Sequence, residues 1–261
     1  MATYLLGDCI PLMKTLPDKS VDCFICDLPY GQLHAGREKT GEWYDRNQNG
    51  GCNWDVKLDL TEFWIQVKRL CKDEHTPVLM FCNTKFGYEL IKSNEKWFRY
   101  DLVWDKGHGV SFLLANKMPM KSHEMIYVFS KAGAFYNRID VESDKKAWKR
   151  DRSNEKIIKS IQYGIEGGGT EEGKEGLRCP LSVIPIGGKT AGGHPTEKPK
   201  ELYEWLLRRY VPKGGTVLDP TAGSFNSVKV AKSLGYKAIG IEKDRGFFYK
   251  AIANEVAYDS T

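Results

Sequence analysis

Apolar positions along this chain follow two rhythms: short unbroken runs, and stretches in which they recur every third or fourth residue. Residues 21–26 and PVLMF at 77–81 are runs of the first kind, the pattern of strands covered on both faces, as in parallel sheets. A strand at 4–6, Gly7-Asp8, a short helix around 10–15 and a PDKS turn precede the first of these runs. The chain therefore opens as strand, helix, strand, a βαβ unit. From Thr61 onward Phe63, Trp64, Val67, Leu70 and Cys71 share one helix face. Residues 85–93 predict a further helix, and 100–104 and 125–129 two more strands. In the last third, Leu202, Trp205, Leu206 and Arg209 lie on a helix, GGTVLD turns into a strand, and PTAGSFNSVKVAKSLG is a loop leading into a helix. YKAIGIEKD is then a strand ending in an acid. No internal repeat is visible, and the sum is α/β, a mainly parallel sheet with helices on both faces.

Three segments break the rhythm. Residues 31–54, rich in Gly, Asn, Gln and charges, read as a long loop, and such loops in compact domains usually act as lids or binding segments. KGHGVSFLLANKMPMKSH, between the strands at 100–104 and 125–129, mixes basic and apolar residues without clear periodicity. Residues 138–176 are charged in both signs, basic around KKAWKRDR and then EGGGTEEGKEG, a composition that buries little apolar surface. They read as a partly flexible insertion, either a solvated excursion or a recognition element, within a single domain spanning 1–261.

The charge balance, 39 basic against 34 acidic residues, permits a polyanionic partner without requiring one. The N-terminus shows no basic segment followed by an apolar one, and no uncharged apolar run approaches a membrane span, so a soluble cytoplasmic protein is expected. Seven cysteines without a signal peptide argue against a disulfide framework. Cys23 and Cys26 form a C-x-x-C inside an apolar strand with no second pair, which favours small buried residues over a metal or redox site.

Two stretches carry chemistry. In DCFICDLPYG (22–31) a buried strand ends by presenting Asp27, Pro29 and Tyr30 together, although a strand-terminating turn alone accounts for an Asp and a Pro there. In TVLDPTAGSFNS a small-residue loop joins a strand to a helix whose N-terminus offers free amide donors. Glu242 ends the next strand, 19 positions after Gly223. In dinucleotide-binding folds an acid about 20 residues on accepts from ribose hydroxyls, which implies a nucleoside cofactor. The run Ala222-Gly223-Ser224-Phe225 lacks the third glycine that a pyrophosphate would favour.

DLPY at a strand end, HPTEKP at 194–199 and LDPTAGS…IGIEKD afterwards resemble, in that order, the motifs of amino-methyltransferases that modify DNA bases with S-adenosylmethionine. With the catalytic motif first and the cofactor loop last, the order resembles that of the permuted β class. The resemblance covers residues 4–137 and 180–250 and implies a Rossmann-like methyltransferase fold. Leu28 stands where that family's motif has its first proline, and Phe225-Asn226 where Gly-Ser or Gly-Thr is usual. The permuted order implies that the strand at 216–219 lies centrally, that the strand at 4–6 extends the sheet beyond 237–241, and that the termini meet.

The resemblance also assigns roles. Asp27, the backbone of Leu28 and Pro29, and Tyr30 form the catalytic set: two acceptors draw an exocyclic amine toward tetrahedral geometry and free its lone pair, while Tyr30 stacks on an extruded base. Asp219 and the loop Thr221, Ala222, Gly223 and Ser224 would face the methionine part of the cofactor, with Glu242 at the ribose, Lys243 beside it, and Asp8 with Cys9 near the adenine. His194, Thr196 and Lys198 would close over the methionine end, and no metal is required. Lys106, Lys117, Lys121, Lys146 and Arg150 are candidates for DNA contact, each of which could equally be a solvated charge. The target implied is N6 of adenine in double-stranded DNA, with cytosine-N4 transfer and a catalytically silent DNA-binding subunit as alternatives. A homodimer and a bacterial or bacteriophage-encoded restriction-modification setting are also implied.

Overall fold

The computed structural model describes residues 1–31, 35–37, 43–45, 56–110, 112–144, 146, 148–151, 170–173, 175–187 and 197–259. They form two compact units, Met1–Asn137 with Ser182–Thr261, and Arg138–Leu181.

The larger unit is built on an eight-stranded sheet. Its strands are β1 (Ala2–Leu6), β2 (Cys23–Cys26), β3 (Val78–Cys82), β4 (Phe98–Val110), β5 (Lys121–Phe129), β6 (Val183–Pro185), β7 (Thr216–Asp219) and β8 (Lys237–Glu242). Across the sheet they lie in the order β1-β8-β7-β2-β3-β5-β4-β6. All neighbours are parallel except β5, which runs antiparallel to both β3 and β4. The helices are α1 (Cys9–Thr15), α2 (Leu60–Leu70), α3 (Thr84–Ser93), α4 (Lys200–Tyr210), α5 (Asn226–Ser233) and α6 (Arg245–Asp259).

Side-chain alternation on β2 and β3 divides the core in two. Cys23, Ile25, Leu79 and Phe81 pack with Leu202 and Leu206 of α4 and Val228 of α5. Phe24, Cys26, Val78 and Met80 pack with Met13 of α1, Phe63 and Val67 of α2 and Leu90 of α3. Both faces of these strands are covered, which is why their sequences show no polar alternation. The same alternation sends Cys23 and Cys26 to opposite faces, where they cannot share a metal, and burial pushes both thiols well above their ordinary range. Among the described residues no His, Cys, Asp and Glu cluster has the form of a metal site, and no helix is long and apolar enough to cross a membrane.

β7 lies inside the sheet between β8 and β2, and β1 is the edge strand beyond β8. The carbonyl of Met1 accepts from the Ala238 N–H at 3.0 Å, and α6 leaves from the end of β8, so the first and last elements both attach at this side of the sheet.

Three stretches differ from the sequence expectation. The strands expected at 100–104 and 125–129 are longer, Phe98–Val110 and Lys121–Phe129, and the aperiodic segment between them forms the outer part of their hairpin, closed by a 3₁₀ turn at Phe112–Leu114. A register shift between Asp105 and Val110 and exposure of all of residues 112–120 remove the period-2 signal that a half-buried strand would carry. The charged insertion also holds strands. Val141–Glu142 pairs with Leu177–Arg178, and Trp148–Asp151 with Thr170–Gly173, both antiparallel. The register sets Glu171 opposite Arg150 and Glu172 opposite Lys149. Within the segment 31–54, Ala35–Arg37 pairs with Trp43–Asp45.

Candidate active site

The parallel strands β2, β7 and β8 end on one edge of the sheet, and the residues that follow them surround a cavity of about 950 Å³. Asp27, Leu28, Pro29 and Tyr30 after β2, Thr221 to Ser224 after β7, Glu242 and Lys243 at the end of β8, and Gly7 to Ile10 after β1 all line it. Glu124 of β5, Glu197, Lys198 and Tyr203 complete one wall, and Val56 to Asp59 another.

Asp27 is held by three contacts. Tyr30 Oη donates to its Oδ1 at 3.0 Å, Lys198 Nζ to its Oδ2 at 2.6 Å, and Thr221 Oγ1 to its carbonyl at 3.0 Å. The last bond ties the end of β2 to the loop after β7. Burial next to Asp27 pushes the Tyr30 phenol well above its usual range, so it stays a donor. One face of the Tyr30 ring lies on Phe86, with centroids 4.9 Å apart and planes at 29°. Gly31 then turns the chain with φ +64°, and a Cβ there would lie 2.5 Å from Lys57 Cγ, so this position requires glycine. Leu28 is 2% exposed and belongs to the core under the sheet. Only its backbone is available to the cavity, which explains how a leucine can stand where the motif usually has proline.

Lys198, expected at the methionine end of a cofactor, lines the cavity with its ammonium between two carboxylates, 2.6 Å from Asp27 and 3.4 Å from Glu124 Oε2. Burial alone would lower its pKa, and the two carboxylates more than offset this, holding it above the ordinary lysine value. Glu124 Oε1 accepts from Lys106 Nζ at 2.5 Å, and with two cations beside it the carboxyl is held below its ordinary value despite burial. Lys106, with 13% of its side chain exposed, is thus an internal partner of Glu124, a correction to its expected place as a free phosphate contact. Sequence reasoning missed Glu124. The only local signal is an acid in the otherwise apolar run HEMIYVF, and its partners are remote in sequence.

The loop after β7 presents backbone. Gly223 N–H donates to Glu242 Oε2 at 2.8 Å and Asp244 N–H to Oε1 at 2.6 Å, so Glu242 sits where two strand ends meet. Burial raises its pKa, against the pull of those amide donors. Asp219 does not reach the cavity, a second correction. It is 3% exposed and accepts from Thr221 N–H and the Ser227 hydroxyl, shaping the loop from behind. Burial pushes its carboxyl up to about 7, against those two donors. Phe225 sits behind the loop as well, at φ +59°, fully buried against Tyr4 and Phe248. Asn226 Nδ2 donates to the Lys198 carbonyl at 3.4 Å, linking α5 to the segment that carries the buried lysine. The unusual Phe-Asn pair therefore leaves the Ala222–Ser224 backbone on the cavity side.

Asp8 caps α1 by accepting from Ile10 N–H at 3.1 Å and lies 3.5 Å from Lys243 Nζ, while Cys9 is buried beside it. Lys117 is exposed and Lys121 partly so on the β4–β5 hairpin; Lys146 is exposed in the second unit. Arg150 is placed by its backbone in the strand Trp148–Asp151. His194 and Thr196 lie outside the described residues.

The strand-end DLPY set and the small-residue loop share one cavity at the sheet edge, as the resemblance to DNA amino-methyltransferases implies. Residues 21–255 match the N6_N4_Mtase family, DNA methylase, and the chain belongs to it. Over 258 residues it is 26% identical to the type II methyltransferase M.HinfI of Haemophilus influenzae, covering 94% of this chain and 66% of that protein, slightly under two thirds. The fold is shared with M1.HpyAVI, solved as a complex with SAM (TM-score 0.59, 18% identity, 98% of this chain and 99% of that one). It is shared equally with the PvuII DNA methyltransferase, cytosine-N4-specific (TM-score 0.60, 14% identity, 96% and 85%).

Proposed function

We propose that this chain transfers the methyl group of S-adenosylmethionine to the exocyclic N6 of adenine in double-stranded DNA, acting on a base turned out of the duplex. The observation that carries the reading is that the Asp27 carboxylate and the Gly223 loop line the same cavity. A volume of about 950 Å³ suits a nucleoside-sized ligand together with a base. Each oxygen of Glu242 accepts one N–H bond, which leaves acceptor capacity for ribose hydroxyls. Thr221 to Ser224 would hold the amino-acid end, and Asp8 the adenine amino group. When bound, S-adenosylmethionine supplies an electrophilic methyl group.

The chain's own part is to shape the nucleophile. Thr221 already engages the Asp27 carbonyl, so the carboxylate of Asp27 and the carbonyls of Leu28 and Pro29 are the acceptors for the two amine N–H bonds. Lys198 and Tyr30 each take one lone pair of that carboxylate and fix its plane, and the remaining lone pairs face the amine. Asp27 need not act before transfer, because the amine becomes acidic only once methylated, and its proton then passes to the carboxylate. The free face of Tyr30 is the stacking platform. The acid at the first motif position supports adenine as the target. The Arg138–Leu181 unit, with Lys146 and Arg150, is the candidate reader of sequence.

The test is incubation with labelled S-adenosylmethionine and duplex DNA, followed by digestion to nucleosides. Label in N6-methyldeoxyadenosine is expected. Label in N4-methyldeoxycytidine would move the target, and DNA binding without label would make the chain a silent subunit. Asp27→Ala should abolish transfer while donor binding, followed by calorimetry, changes little; near-normal turnover in that variant would remove the role given to this carboxylate.

A further inference from the structure

Between Gly107 and His123 the chain carries two lysines and two histidines and no carboxylate. This is the outer part of the β4–β5 hairpin, and its tip is apolar: Leu113 is 96% exposed, Phe112 77% and Met118 52%. Single exposed apolar residues are ordinary on a protein surface, but so many within one turn mark an interaction site. The hairpin starts at the cavity. Met125 pairs with Cys82, the last residue of β3, so β5 from Glu124 outward runs past the sheet edge on which Asp27 lies. Glu124 lines the cavity, and Lys121 is three residues further out, about 10 Å at strand rise. A basic, acid-free stem with an apolar end suits a polyanion whose interior is apolar. It does not suit an identical tip, since a two-fold contact would set its lysines against each other.

Building on the DNA reading above, we propose that this tip is a wedge: Phe112 and Leu113 enter the base stack beside the nucleotide that turns into the cavity, while Lys117 and Lys121 hold the flanking phosphates. Apolar side chains inserted at a base step partly unstack it, and filling the vacated gap keeps the base from returning.

The test is the double variant Phe112→Ser/Leu113→Ser. Both side chains point to solvent, so its thermal midpoint should match that of the wild type. Transfer is measured on a duplex carrying the sequence that the wild type modifies, with the target base paired, and on the same duplex with that base mispaired. The wedge predicts a loss of about ten-fold on the paired target and near-parity on the mispaired one, because the mismatch already supplies the extrusion. A fluorescent 2-aminopurine at the target should brighten with the wild type and not with the variant. Equal losses on both duplexes, or no loss on either, would overturn the wedge. So would a lower oligomeric state than the wild type in sedimentation, which would make the tip a self-association surface. Failure of the wild type to methylate any DNA would instead refute the reading on which the proposal stands.

Discussion

Lys198, with 6% of its side chain exposed, keeps its ammonium within 2.6 Å of Asp27 and 3.4 Å of Glu124. Removing one partner of a buried ionic group costs about 3–5 kcal/mol, because the remaining charges lose their compensation. Lys198→Met should therefore destabilise the fold by about 3 kcal/mol, nearer the lower figure because Glu124 keeps Lys106. Adding Glu124→Gln to that variant should recover part of the loss, as urea titration of the four proteins of the cycle would read. The functional readout separates two placements of this lysine. If it acts by positioning Asp27 for transfer, turnover should fall by about a hundred-fold while affinity for S-adenosylmethionine changes little. A large loss of donor affinity with turnover preserved would return Lys198 to the cofactor's methionine end. Asp219 gives a pH signature. Its carboxyl ionises at about 7 in the folded chain against 3.8 ordinarily, so the folded state holds the proton more tightly. That contribution is complete below about pH 4 and is lost as pH rises through about 7. Asp219→Asn stays neutral throughout, so wild-type stability should fall relative to the variant by roughly 2–3 kcal/mol between about pH 5 and pH 7. Parallel stability curves for the two proteins would show that Asp219 is ionised in the fold at pH 5.

The loop between β7 and α5 is braced by β8. A Cβ on Gly240 would lie 2.6 Å from both Phe225 Cδ1 and Val228 Cγ2, so the bulk of Phe225 and the bareness of Gly240 are one packing solution. Gly240→Ala should cost about 1–3 kcal/mol by overpacking, and pairing it with Phe225→Leu should cost less than the sum of the two changes. Strict additivity in thermal or urea unfolding would show that the two positions do not share a constraint. The same region shows what a sequence displays and what it hides. Asp27 and Glu242 are visible because each closes an apolar run just before a turn or loop. β2 and β3 are visible because both faces are covered. Glu124 is hidden, since it interrupts a strand whose period-2 signal is already weak and its partners Lys106 and Lys198 come from other elements. The outer hairpin is hidden because its tip, residues 112–120, is exposed throughout, and the strands of the insertion because their sequences, WKRD and TEEG, carry no hydrophobic period. Asp219 misleads for a different reason: a strand-end acid beside a small-residue loop has the spacing of a ligand contact, and only its bonds to Thr221 and Ser227 reveal that it faces inward.

The chain as a whole carries +5 against an expected partner with one negative charge per 1.7 Å of duplex axis, so binding should depend steeply on salt. On the proposed DNA reading the candidate phosphate contacts are Lys117 and Lys121 on the hairpin of the larger unit, and Lys146, Lys149 and Arg150 in the Arg138–Leu181 unit. Phosphate-binding cations position a protein without reading sequence, so removing them weakens binding to all duplexes alike and lowers the salt slope by about 0.9 for each phosphate no longer neutralised. Replacing Lys117 and Lys121 with Gln should have that effect, a slope reduced by about 2 with preference for the modified sequence unchanged. Replacing Lys146, Lys149 and Arg150 with Gln should act differently if the second unit reads the target: discrimination between modified and unrelated duplexes should narrow by more than the slope alone explains, with donor affinity untouched. Lys149 and Arg150 stand opposite Glu172 and Glu171, so an exchange of charge across that ladder supplies the control, keeping the register and net charge while inverting the surface. If the exchanged protein discriminates as well as the original, the second unit is a solvated excursion, and sequence reading belongs to the unit that holds the cavity.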